Sequence, residues 1–187
     1  MVRFFVNADD MLGEEILLTG ENAAHAKVLR LKAGEQVLIC DGDGKECVCT
    51  VKDIASGALT LAVDSRQDSV SEAKVKVSIY MAFPKADKLE HVIQKATELG
   101  AYEVVSFPSA RRGSKPDEKS LNKKLERWQA IAESAAQQSG RSIVPKVLTL
   151  SSYSEALKRA SGADKAILFY ENEQATTLQM ALKAGEY

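Results

Sequence analysis

The chain is 187 residues long, 45% hydrophobic, and carries a formal net charge of −1. That length holds one large domain or two small ones with a proper core, and the near-zero charge excludes a polycation, so any contact with nucleic acid has to come from a local basic patch. Three cysteines, an odd number, with no leader sequence before them, point to a reducing, cytoplasmic setting, and no apolar run approaches the ~18 residues of a membrane helix.

The first part of the chain is strand-rich. The segments 3–7, 15–19, 36–41, 46–54 and 58–64 are short, rich in β-branched residues and separated by glycine turns. One helix, over about residues 20–31, interrupts them. Many short strands with tight turns predict a small barrel. DGDGKE, Asp41 to Glu46, resembles the start of a calcium loop but lacks the further oxygen ligands and the glutamate at the twelfth position. It reads as a hairpin turn. Cys40, Cys47 and Cys49 flank it without a fourth ligand in paired spacing, so they read as ordinary strand residues and no metal is expected. The polar, aperiodic stretch 65–74 reads as a linker.

From about residue 74 the pattern alternates strand and helix, which predicts a mostly parallel sheet covered by helices. VKVSIYMAF is followed by KADKLEHVIQKATELG, Lys85 to Gly100, an amphipathic helix with Leu89, Val92 or Ile93, Ala96 and Leu99 on one face. YEVVSFP is the next strand, then a helix over about 120–139, then KVLTL. A helix over 154–160 follows, with Ser152 and Glu155 at capping-box spacing. KAILFYE reads as a further strand and 178–183 as a last helix. Ligands on such sheets sit at the carboxyl ends of the strands.

Arg111 to Arg127 holds seven Lys or Arg against Asp117, Glu118 and Glu126, a local balance of +4. Basic side chains on one loop and helix suit phosphate neutralisation, although a merely solvated helix has the same composition. Trp128 reads as core beside Leu125 and Ile131. There is no GxGxxG after a strand, no GxxxxGK[ST] and no GxSxG, which removes the main support for dehydrogenase, kinase and common hydrolase readings.

HAKVLR (His25 to Arg30), KADKLEHVIQKATELG and AAQQSGRSIVPKV (Ala135 to Val147), in this order and spacing, resemble the RsmE-type 16S rRNA uridine-N3 methyltransferases of the SPOUT class. The likeness runs from Met1 to about Glu173. It implies an α/β fold with a PUA-like β-barrel that grips RNA over residues 1–70 and a SPOUT-type domain over 74–187. It implies S-adenosylmethionine as methyl donor, 16S rRNA of the small ribosomal subunit as partner, a homodimer and no membrane. N3 of uracil is protonated and a poor nucleophile, so the site must remove that proton or favour the anion, a role for well-placed cations.

On this resemblance Arg3, His25, Lys27 and Arg30 of the barrel, with Lys85, Lys88, Lys95, Arg111, Arg112, Lys123 and Arg141, are the candidates to hold RNA. Leu168, Tyr170 and Glu171 would form one wall of the cofactor pocket. No general base can be named. The family's GPEGG loop and its later LG-x-R-I-L-R-x-E-T-A stretch, part of the trefoil knot, do not occur here. The expectation is therefore a chain that stops before the knot and does not methylate alone. Two other classes remain open: an RNA- or ribosome-binding module without catalysis, and a small α/β protein that binds a nucleotide or a protein partner.

Overall fold

The structure is a computed structural model that describes residues 1–84, 88–109 and 118–183. The first unit holds strands β1 (Val2–Phe5), β2 (Glu15–Thr19), β3 (Gln36–Cys40), β4 (Lys45–Ala55) and β5 (Ala58–Asp68), with helix α1 (Gly20–Val28) after β2. The strands pair in the order β1-β3-β4-β5-β2. The β1–β3 pair is parallel and the others are antiparallel. β2 shows why the sheet curls: Ile16 and Leu18 are buried while Glu15, Leu17 and Thr19 face out, the period-two signature of a one-sided sheet. Phe4, Ile16, Leu18, Val37, Ile39, Val51 and Leu61 fill the concave side, and Ala23 and Ala26 of α1 close it. β1 and β2 remain the two edges, so the expected small barrel takes the form of a curled sheet plugged by a helix.

The 41–46 segment is a hairpin turn. One Asp41 carboxylate oxygen accepts from the Asp43 and Lys45 amides at 2.8 and 3.0 Å. Gly42 and Gly44 take the positive φ angles of 80° and 107° that such a turn demands.

The second unit is a parallel sheet in the order β6-β7-β8, with β6 at Ser78–Ala82, β7 at Glu103–Phe107 and β8 at Lys146–Thr149. Helices α2 (Lys88–Glu98) and α3 (Glu118–Ser139) pack together over it. Leu89, Ile93, Val104, Trp128, Ala132 and Val147 form their shared core, so Trp128 lies in the core. Residues of opposite parity on β7 meet α4 (Tyr153–Ala160) on the other face. The Phe107 ring lies 5.6 Å from that of Tyr153, and Arg159 donates to Glu103 at 2.8 Å. Ser152 caps α4, its hydroxyl accepting from the Glu155 amide at 3.1 Å. The Glu155 carboxylate accepts in return from the amide of Ser151 at 2.8 Å.

Two expectations differ. The buried line of α2 is Leu89, Ile93 and Thr97, while Leu99 is 87% exposed. A step of four carries the buried stripe to Thr97, whose hydroxyl returns its proton to the Ile93 carbonyl at 2.8 Å and so tolerates burial. KAILFYE forms no strand. A strand exists only through a paired neighbour, and 165–170 join no ladder among the described residues. Helix α5 (Leu178–Lys183) follows where it was expected.

Candidate nucleic-acid interface

Helix α1 ends on an unusual residue. The Arg30 amide donates to the Lys27 carbonyl at 3.0 Å and the Leu31 amide to the Ala26 carbonyl at 3.2 Å. This pair of bonds is a Schellman termination, with Arg30 at the left-handed position. Its φ is +57°, the one non-glycine positive value among the described residues. Leu31 follows as the apolar anchor, packed against the barrel core. Left-handed geometry costs a side chain with a Cβ about 1 kcal/mol or more, and glycine would avoid that cost. Arg30 and Lys27 are exposed, so the guanidinium stands outward at the helix end. His25 is also exposed but sets its ring edge-on to buried Phe4, with centroids 5.7 Å apart.

Helix α3 supplies a second basic surface. Lys119, Lys123 and Arg127 recur every four residues and share one stripe, with Lys124 beside it. All four are exposed. Arg127 donates to Glu90 of α2 at 2.7 Å, whereas Lys119, Lys123 and Lys124 pair with no carboxylate among the described residues. Leu121, Leu125, Trp128 and Ala132 face inward and fix the helix. Lys85, Arg111 and Arg112 lie outside the described residues.

The polar face of α2 is partly neutralised. Lys95 donates to Glu98 at 2.7 Å and holds that carboxyl below its usual range, helped by Gln94. Exposed Lys88 lines an open groove with Met81, His91 and Val92 beside edge strand β6. His91 was not singled out in the sequence. Its spacing of three from Lys88 on a helix following a parallel strand was the available signal.

Arg141 and Arg3 depart furthest from the expected RNA contacts. Arg141 is only 7% exposed. Its Nε and Nη2 donate to one Glu72 oxygen at 3.2 and 2.7 Å, and its Nη1 donates to the Ala101 and Thr97 carbonyls at 2.7 and 3.2 Å. The other Glu72 oxygen accepts from the Ser142 and Ile143 amides at 2.8 and 3.0 Å. The Ser142 hydroxyl hydrogen-bonds buried Glu46 of β4, which also accepts from Gln67 at 3.1 Å and Arg3 at 3.5 Å. Arg141 thus has its donors committed inside the protein, and half-buried Arg3 joins the same network.

Burial pushes the Glu46 and Glu72 carboxyls up, but their hydrogen bonds outweigh it and both sit below the usual range. Ser142, Gln67, Ser69 and Arg3 act on Glu46, and Arg141 with the two backbone amides acts on Glu72. Lowered folded values stabilise the fold above the unfolded carboxylate value of about 4.3, and that contribution is lost as pH falls through the folded values. Acidification below about pH 4 is therefore expected to loosen the junction of the two units. Near-UV circular dichroism checks this. A flat signal through that range would show that the carboxylates contribute nothing there.

Leu168 and Tyr170 are 71% and 60% exposed, and Glu171 is exposed too. They lie on the unpaired 165–170 segment and its turn, where they wall no enclosed pocket among the described residues.

Comparison with known proteins is consistent with a two-part RNA-directed chain. The RNA methyltransferase domain family matches residues 71–186, and the RNA methyltransferase PUA domain family matches 18–64. The chain is similar to ribosomal RNA small subunit methyltransferase E of Bacillus subtilis, 37% identical over 91% of this chain and 68% of that protein. It is similar to the protein of the same name from Mycobacterium bovis, 31% identical over 97% of this chain and 71% of that one. A crystal structure of the Neisseria gonorrhoeae ribosomal RNA small subunit methyltransferase E bound to S-adenosyl methionine superposes with a TM-score of 0.75. It is 27% identical, over 85% of this chain and 66% of that one.

Proposed function

The chain belongs to the RNA methyltransferase family that includes the small-subunit ribosomal RNA methyltransferases E, and from that premise we propose that it binds 16S rRNA of the small subunit and serves methyl transfer from S-adenosylmethionine to N3 of a uridine. The reading includes a homodimer, and a cytoplasmic setting with which three buried free thiols agree. The observation that carries the RNA contact is Arg30, an exposed guanidinium held at a position where the backbone favours glycine. Lys27 beside it and Lys119, Lys123 and Lys124 on α3 extend the cationic surface. Such side chains neutralise phosphates, and RNA modules read splayed bases and shape from a basic edge.

The donor fits less well: Leu168, Tyr170 and Glu171 are exposed and enclose no site among the described residues. What the chain's own residues do is bind and orient RNA. Two of the candidate RNA-holding cations are already engaged within the protein, Lys95 by Glu98 and Arg141 by Glu72. Methyl transfer to small subunits separates this reading from a binding module without catalysis, which the open 165–171 segment favours for these residues alone.

Charge reversal on α3 tests the surface. Lys123→Glu with Lys124→Glu is expected to weaken binding of a small-subunit rRNA fragment at least several-fold by filter binding, with little change in stability because both side chains are exposed. Unchanged affinity would place the RNA elsewhere.

A further inference from the structure

The junction between the units is built chiefly from loop 140–145, which joins α3 to β8. Its backbone extends the 41–45 hairpin: the Val144 amide donates to the Gly42 carbonyl at 3.0 Å, and Ile143 bridges to Gly42 and Asp43. A Cβ on Gly42 would meet Val144 only in ordinary contact, at 3.6 Å, so it is the φ of +80° that reserves this hairpin position for glycine. Phe5, Leu38 and Cys40 of the curled sheet share a small core with Ala136 of α3. Arg141 then ties its own loop to two further segments, the connecting stretch at Glu72 and the end of α2 at the Thr97 and Ala101 carbonyls. A cation there also suits the negative end of that helix. Through the Ser142 hydroxyl the same loop reaches Glu46 of β4. A stretch that reads as a linker is therefore anchored at Glu72.

We propose that loop 140–145 is a positioning element: held by the Arg141–Glu72 pair and bonded to the first unit through Ser142 and Val144, it fixes the cationic end of α1 relative to the basic stripe of α3, so that one RNA meets both as a single rigid surface. The proposal rests on the RNA-binding reading above. Two weak surfaces held in register act at high effective concentration, and their joint affinity exceeds either alone. If the units swing freely, that gain falls while each surface keeps its own contacts. Arg141 acts on RNA through the frame, touching none of it.

The chain carries a probe for each unit. Trp128, the sole tryptophan, lies in the α2–α3 core. All three cysteines lie in the first unit and are buried, where burial raises Cys40 to about 11 and Cys49 to about 12 and keeps them as unreactive thiols. In Glu72→Gln, urea transitions followed by tryptophan fluorescence and by thiol labelling are expected to separate, whereas they coincide in the parent protein. Affinity for a small-subunit rRNA fragment is expected to fall about tenfold, while a single-stranded oligouridine of about six nucleotides binds as before. General misfolding would weaken both RNAs. A direct phosphate contact by Arg141 predicts the reverse, since removing the Glu72 charge would free the guanidinium and tighten binding.

Coincident transitions, or unchanged affinity for the longer RNA, would overturn the proposal. Should Glu72→Gln not fold, Ser142→Ala removes the Glu46 bond and the weak bond from the Cys40 thiol while keeping the Glu72–Arg141 pair, and is read by the same two measurements. If the parent protein binds neither RNA, the RNA-binding reading fails, and with it the positioning role. The unfolding comparison still decides whether Glu72 couples the two units.

Discussion

Arg141→Ala is expected to lower unfolding stability by about 3–5 kcal/mol, the range found when one partner of a buried ion pair is removed. The size follows from what is left behind. Glu72 loses both guanidinium bonds and keeps only two amides around a largely buried carboxylate. The Ala101 carbonyl loses its donor at the end of α2, while the Thr97 carbonyl keeps the Gly100 amide at 3.0 Å; a buried acceptor left unpaired costs about 1–3 kcal/mol. Arg141→Lys keeps the charge but not the planar fork that reaches Glu72 and both carbonyls, so it is expected to recover only part of the loss. Urea unfolding followed by Trp128 fluorescence measures both variants. A loss below about 1 kcal/mol for Arg141→Ala, the value of an exposed pair, would mean that the guanidinium is solvated.

Arg30→Gly is expected to move stability and RNA affinity in opposite directions. Relief of the left-handed strain, where φ is +57°, is expected to add about 1 kcal/mol to stability, since glycine takes this position without a Cβ penalty. Loss of the exposed guanidinium is expected to weaken RNA binding by about 1–3 kcal/mol if Arg30 contacts a base, or to reduce the salt dependence by about one phosphate if it contacts the backbone. Arg30→Ala separates the two effects. It keeps a Cβ in the strained conformation and removes the charge, so affinity falls without the gain in stability. A glycine variant that is more stable and binds RNA as well as the parent would leave the residue's conformation without a functional reason.

The fold was legible where local pattern decides it. The alternation in Glu15–Thr19, the β-branched runs of β3 to β5 and the helix at 178–183 could be read from neighbouring residues alone. Features that depend on distant partners could not. Arg141 follows a helix-ending glycine in a polar stretch and reads as surface, and the Glu72 that buries it is 69 positions away. KAILFYE has strand composition, but composition supplies no pairing partner. Thr97 entered the core in place of Leu99 because a hydrogen bond to the preceding turn satisfies its hydroxyl.

The candidate site divides in the same way. Exposed charge on Lys27, Arg30, Lys88 and Lys123 was readable. The left-handed turn at Arg30 carried only one sequence signal, the apolar Leu31 that anchors the Schellman motif. The positions of Lys85, Arg111 and Arg112 lie outside the described residues.

The proposed function requires small-subunit ribosomal RNA to lie on a surface of specific cations. Its most direct test is the affinity for a small-subunit rRNA fragment measured across salt concentration. With about four cations engaged, the plot of log affinity against log salt should fall with a slope of about −3. Binding that is absent at low salt, or indifferent to salt, would contradict the account.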